Sequence, residues 1–255
     1  VLNHIHVFFE WEQVPGALDY DLHISEDINF SSTIFEITDF SLAFIDKNNL
    51  NWESTYYWRL RANFPNYSSE WLTPYSFTTS EALSSSSIDY INHSQYQEGV
   101  TVFGAFFNYF SAAIDHTGKE IWNSGPNSFV YYSSNPFGNV FGCNHLSGVE
   151  NNLPGMEISF QNEIIWEEPN DDFLHHDFIK LPNGNYLGIV ETNSLGPIPI
   201  GGWTASFQNL GFQADGVTIE FPWVGDKLVE WDKDSKEVIW TWSTFDHFSL
   251  SLIHI

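Results

Sequence analysis

One short pattern, met three times, constrains this chain more than any other feature of it. Ala113-Ile114-Asp115-His116-Thr117-Gly118-Lys119-Glu120-Ile121-Trp122 recurs as Glu157-Ile158-Ser159-Phe160-Gln161-Asn162-Glu163-Ile164-Ile165-Trp166. It returns once more as Glu230-Trp231-Asp232-Lys233-Asp234-Ser235-Lys236-Glu237-Val238-Ile239-Trp240. Each copy places a polar turn between two apolar runs and reads as strand, turn, strand, closing on Ile-Trp. A second echo carries Pro136-Phe137-Gly138-Asn139-Val140-Phe141-Gly142 to Pro182-Asn183-Gly184-Asn185-Tyr186-Leu187-Gly188, 46 residues later. Trp122 and Trp166 are 44 residues apart, Trp166 and Trp240 74. The excess is a Gly/Pro-rich insertion over residues 192–223. Hairpins repeating every ~40–50 residues are the signature of β-propeller blades. Two and a half blades cannot close a ring, so the remainder is expected beyond residue 249.

Residues 1–79 carry a different pattern. Phe8-Phe9-Glu10-Trp11-Glu12 runs into a Pro15-Gly16 turn, and Tyr20-Asp21-Leu22-His23-Ile24 alternates apolar and polar side chains. Short strands are expected over 33–37 and 41–45. Thr55-Tyr56-Tyr57-Trp58-Arg59-Leu60-Arg61-Ala62 places Tyr56, Trp58, Leu60 and Ala62 on one face, the period of a half-buried antiparallel strand. Short strands at this spacing build a sandwich. The fold class expected is therefore all-β, a β-sandwich followed by incomplete propeller blades. A Ser-rich linker over 80–87 separates the sandwich from a second domain, 88–249. Residues 250–255 follow with no turn or cap signal and read as a non-native tail, so His254 is left out of the functional reasoning.

Charge narrows the partners. The formal net charge is −25 with only 8 Lys and Arg. That argues against nucleic acid or an anionic membrane, both of which require clustered cations. The single cysteine, Cys143, excludes an internal disulfide framework and thiolate metal clusters and reads as a small buried hydrophobe. No apolar run approaches the ~18 residues of a membrane span, and no charged-then-apolar leader opens the chain.

Two stretches resemble known families. Trp11, Gly16-Ala17, Tyr20, Leu50, Tyr56-x-Trp58-Arg59-Leu60-Arg61-Ala62 and Trp71 through Phe77-Thr78-Thr79 resemble a bacterial fibronectin type III domain whose first strand is largely missing. Leu50 and Tyr56 match that family's loop leucine and corner tyrosine. Trp52 and Trp71 read as core or interdomain packing in preference to sugar binding. Further on, His175-His176-Asp177-Phe178 with Leu181-Pro182-Asn183-Gly184-Asn185, then Asp226-Lys227-Leu228-Val229-Glu230-Trp231-Asp232, Val238-Ile239-Trp240-Thr241-Trp242 and Asp246-His247, resemble the arylsulfotransferase family. The order and spacing of both motifs hold over about 88–249.

That second resemblance implies a propeller enzyme of the secreted, periplasmic or cell-surface kind. It moves a sulfuryl group from a phenolic sulfate ester to a histidine, then to an acceptor phenol, with no cofactor and no metal. Such chemistry needs a neutral imidazole to attack sulfur, cationic or N–H groups for the sulfate oxygens, and a proton for the departing phenolate. His176 matches the family's histidine at the donor end of the channel, which implies sulfate stabilisation or proton donation. Asp177 would hold its tautomer. His175 is the lesser member of the pair, because adjacent strand residues face opposite sides. His247 matches a position to which the resemblance assigns no role. The family's nucleophilic histidine, its histidine–asparagine pair and its arginine have no counterpart in this sequence, which is therefore expected to be inactive by itself.

The remaining constellations have plainer readings. His175, His176 and Asp177 also read as a turn capped by Asp, and as a metal site they lack two ligands on one side. His247 reads as a blade-edge hydrogen-bonding group in preference to a catalytic one. Glu167-Glu168 and Asp171-Asp172 resemble paired carboxylates for glycoside hydrolysis but read as solvated loop charge. Gly201-Gly202 has no lysine or helix start behind it to cradle phosphate. Residues 192–223 read as an irregular lid or rim loop whose Trp203, Phe207, Phe212 and Trp223 either stack on an aromatic substrate or pack against the blades. A non-catalytic adhesion or scaffold protein of the same modules is the alternative function, and a homo-oligomer is left open.

Overall fold

The computed structural model describes residues 1–89, 92, 94, 95, 99–146, 153–169 and 174–247. The architecture is all-β, built from antiparallel sheets of which none closes into a barrel among the described residues. The chain divides into two compact units, Val1–Asn127 and Ser128–Ile255. Among the described residues no helix is long and apolar enough to cross a membrane.

The first unit opens with a sandwich. One layer pairs β1 (Val7–Glu10) with β4 (Ala43–Asp46). The other sets β3 (Phe35–Asp39), β2 (Asp19–Ser25) and β5 (Thr55–Phe64) side by side, with β6 (Tyr67–Ser68) and β7 (Tyr75–Thr78) both pairing with β5. Alternation decides which face is buried: Phe9 of one layer meets Trp58 and Phe77 of the other with ring centroids at 5.4 and 6.0 Å. Leu22, Ile24, Leu50 and Tyr56 complete the core. The corner tyrosine has a definable task, since the Tyr56 hydroxyl accepts the Asn51 amide at 2.8 Å and pins the loop to the strand it enters. Tyr56→Phe is expected to cost about 1–2 kcal/mol in urea denaturation by stranding that amide. Tyr57→Phe on the other face should cost less than about 0.5 kcal/mol.

The outward face of β2 and β5 gathers both arginines of the chain. Arg59 and Arg61 lie over the Trp71 ring at 4.2 and 4.5 Å, Arg59 also covers Phe30 at 4.2 Å, and His23 meets Trp71 at 4.3 Å. Trp71 is thus taken up by packing within the sandwich. Trp52 donates its indole N–H to Glu120 O at 2.9 Å, tying the sandwich to the strands that follow.

Those strands, β8 (Thr101–Ala105), β9 (Phe110–Ile114) and β10 (Glu120–Asn123), form a three-stranded sheet in the same unit. The chain's start runs beside β10. The Asn123 amide donates to Asn3 O and the Ile5 amide to Ile121 O, both at 3.0 Å, around a His4–Trp122 bridge. Leu2 is held to the sandwich through Thr78 O and the Ser80 amide. The Ser-rich segment has no regular structure, but the Leu83 and Ser84 amides bond to the buried Glu120 carboxylate at 2.9 and 2.6 Å.

The second unit contains two four-stranded up-and-down meanders of blade type. The first is β11 (Phe129–Ser134), β12 (Val140–Asn144), β13 (Gly155–Ile158) and β14 (Ile164–Glu167). The second is β15 (Leu174–Lys180), β16 (Tyr186–Pro197), β17 (Ile219–Trp231) and β18 (Val238–Ser243). The sequence echo now has a physical reading. Gly138 and Gly184 take φ of 85° and 92° in the first turn of each blade, a region L side chains avoid. The asparagine after each donates to a glutamate of the third strand, Asn139 to Glu157 at 2.6 Å and Asn185 to Glu230 at 2.8 Å.

Residues 192–223 are not an irregular loop. The β16–β17 ladder runs unbroken from Tyr186↔Trp231 to Gly196↔Phe221, so the insertion is mostly a two-stranded ribbon rising out of the blade. Its tip carries the short helix α1 (Thr204–Asn209), which starts just behind Gly201-Gly202. Phe207, Phe212, Phe221 and Trp223 pack on one another at centroid distances of 4.9–6.0 Å.

Candidate functional site: a bulged first strand

The strand carrying His175, His176 and Asp177 is the first of its blade, and its pairing breaks where they lie. Leu174 pairs with Val190 and Phe178 with Gly188, so four steps along β15 match two along β16. A bulge of this kind interrupts the pleat and re-aims side chains. The alternation that ranked His176 above His175 presumes an unbroken ladder, and between Leu174 and Phe178 there is none. The side chains of His175 and His176 lie outside the described residues. Asp177 is exposed, and its Oδ1 accepts the Phe178 amide at 2.9 Å, a local backbone bond of the kind a capping aspartate makes.

Both ends of the bulge are held from the neighbouring blade. The Tyr132 hydroxyl lies 3.3 Å from Leu174 O and 3.1 Å from Cys143 Sγ, and Ser133 Oγ donates to Phe178 O at 3.4 Å. Leu174 and Phe178 are themselves fully buried, so the bulge is an arch between two anchored apolar residues. Cys143, under Tyr132, is buried, and burial pushes its thiol up to about 11. It behaves as a core residue, with no thiolate at neutral pH.

His247 stands at the same end of the blade but across the sheet. The last pair of β17 with β18, Lys227↔Ser243, leads into α2 (Thr244–His247), and the His247 ring stacks on Trp242 at 4.9 Å and 7°. Since β15 and β18 are opposite edges of a four-stranded sheet, three strand spacings, about 14 Å, separate His247 from the triplet. The ribbon leaves the blade at this end too, and α2 packs at its base against Gly225. Within blade 15–18, then, the His-His-Asp bulge, the ribbon and His247 share one end.

The structure also brings forward residues that sequence reasoning passed over. Glu157 is fully buried, and its carboxylate accepts from Asn139 Nδ2, Lys180 Nζ at 3.0 Å and the Tyr186 hydroxyl at 2.5 Å. It joins the two blades with a compensated charge. Burial first, then the hydrogen bond to Glu157 and its charge, raise the Tyr186 hydroxyl above the usual tyrosine range. A phenol pKa raised by folding adds stability that is complete below pH 10 and lost as pH climbs past it. Tyr186→Phe is expected to lower stability by about 1.5–3 kcal/mol at pH 7, through the lost charge-assisted bond. Above pH 10 wild type should lose about 1.4 kcal/mol per pH unit that the variant does not, so denaturation at pH 7 and pH 11 should show the gap closing.

Glu168 is a correction. It is buried rather than solvated, with its Oε2 accepting the Gly155 amide at 3.0 Å. Asp171 and Asp172 lie outside the described residues. Among the described residues no three His, Cys, Asp or Glu side chains converge as metal ligands. No known protein-family model matches the chain, and no curated protein sequence matches it either.

Proposed function

We propose that the chain belongs to a secreted, periplasmic or cell-surface arylsulfotransferase-like protein, with a fibronectin type III-like module ahead of its blades. Its donor would be a phenolic sulfate ester and its acceptor a phenol. One observation carries this reading: His175, His176 and Asp177 occupy a bulge at the start of a blade's first strand. In a ring of such blades the first strands border the central opening, and a bulge there frees side chains to meet a ligand. His176 would donate to a sulfate oxygen or protonate the leaving phenolate, with Asp177 beside it favouring the charged or correctly tautomerised ring. Because the family's nucleophilic histidine is not matched in this sequence, the chain is expected to bind an aryl sulfate without turning it over.

The test is a titration of 4-nitrophenyl sulfate into the chain, followed through its histidine ring resonances. Shifts of His175 and His176 at millimolar ester, lost in His176→Ala and without release of nitrophenolate, would support the assignment. Absent shifts, or binding unchanged in His176→Ala, would reject it. The alternative, a non-catalytic adhesion or scaffold protein, has its own observation. Both arginines of the chain belong to the sandwich, where they pack on Trp71, so the Ser128–Ile255 unit has no guanidinium of its own for a sulfate. That reading predicts no response to the ester at any concentration tested.

A further inference from the structure

The three closing tryptophans hold one ladder position. Trp122 pairs with Ala113, Trp166 with Glu157 and Trp240 with Glu230. Their exposures are 3%, 4% and 46%. Trp166 is covered by the next blade, with Tyr186 stacked on it at 4.0 Å, Phe178 at 5.5 Å and Trp231 at 6.1 Å. Glu157 beside it divides its oxygens. Oε1 takes Asn139 of its own blade, and Oε2 takes Lys180 and Tyr186 of the next.

Glu230 repeats half of this arrangement. Its Oε1 accepts from Asn185 and Asn183 of its own blade, while Oε2 meets no donor among the described residues. No ring among the described residues stacks on Trp240, and its neighbours Val238 and Ile239 are exposed with it. We propose that the face carrying Trp240 and Glu230 is a docking surface for a further blade of this same repeat. The occupant would present aromatic rings in the places of Phe178 and Tyr186, and a tyrosine hydroxyl or lysine ammonium to Glu230 Oε2. The interface between the two blades already present, continued by one repeat, supplies that chemistry. A second copy of blade 15–18 does not fit, because its Phe178 and Tyr186 are already under Trp166. The inference stands apart from the sulfuryl-transfer reading and survives its failure.

The experiment appends a second copy of residues 168–243 to the C-terminus of the full chain, with Trp240→Phe in the appended copy. Hydroxyl-radical oxidation of the chain's own Trp240 is then read by mass spectrometry. Docking predicts that oxidation falls at least fivefold, toward the level of Trp166. It also predicts no protection when the appended copy carries Phe178→Ser and Tyr186→Ser. Unchanged oxidation, or equal protection by the doubly substituted copy, would overturn the proposal. A second measurement needs no appended blade. Trp240→Ser in the unextended chain should lower the thermal midpoint by no more than about 3 °C. A fall as large as that of Trp166→Ala, or protection of Trp240 that grows with protein concentration, would assign the face to this chain or to a second copy and overturn the proposal.

Discussion

Gly142→Ala is expected to cost the Ser128–Ile255 unit about 4 kcal/mol or more, a large share of a domain's whole stability. Gly142 lies in β12 opposite Tyr131 of β11, beside the register shift between Tyr131 and Ser133, and an added Cβ would land on the Val130 carbonyl oxygen, with Val130 C at 2.9 Å and Phe129 Cζ at 2.8 Å. Backbone cannot step aside as a side chain can, so the two strands must part and their ladder with them. Gly188 is the same residue one repeat later, but there the obstruction is the tip of the Leu174 side chain. Gly188→Ala should therefore cost less, about 1–3 kcal/mol. Gly202→Ala, with open space around it, is the control and should be near neutral. Urea denaturation followed by far-ultraviolet circular dichroism orders the three variants. Equal stabilities for Gly142→Ala and Gly202→Ala would refute the clash with the Val130 backbone.

Trp166→Ala should cost about 3–5 kcal/mol, as expected for a large aromatic removed from a packed core. The indole is the centre of the apolar cluster that joins the two blades, with Leu174, Phe178, Tyr186, Val229 and Trp231 around it. Its loss opens a cavity and removes the stacking on Tyr186, and it brings water toward the buried Glu157. Trp166→Phe should recover about half of that loss by refilling part of the volume. A drop of under about 1 kcal/mol for Trp166→Ala would mean that the blades do not depend on this contact.

The repeat was legible in the sequence because its turns are local. Asp115-His116-Thr117-Gly118, Pro136 through Asn139 and Pro182 through Asn185 announce their geometry within a few residues, and the apolar runs beside them supply strands. What depends on a neighbouring strand was not legible. Gly142 and Gly188 were seen to recur, but the reason, the close approach of the first strand's backbone at Gly142 and of the Leu174 side chain at Gly188, belongs to the pairing. The ribbon over 192–223 was hidden for a similar reason. Pro197 and Pro222 disqualify a central strand, yet neither β15 nor β18 extends along that part of β16 and β17, so no third strand asks those residues for an N–H.

The candidate site divides in the same way. His-His-Asp stands out by composition, whereas its bulge is a mismatch of count between two strands and has no mark in either strand alone. Burial of Glu157 and Glu168 was equally invisible. Each reads as an ordinary polar residue of a strand or its exit until Lys180, Tyr186 and Gly155 are brought to it from elsewhere in the chain.

The pairing of Asn3 and Ile5 with β10 bears on how the protein is made. These residues leave the ribosome well before their partners Ile121 and Asn123. Through that interval residues 3–5 stay unpaired with β10, so the contact is a long-range one of the slow kind. A substitution that stiffens residues 3–5 would hinder this late closure more than the sandwich that forms before it.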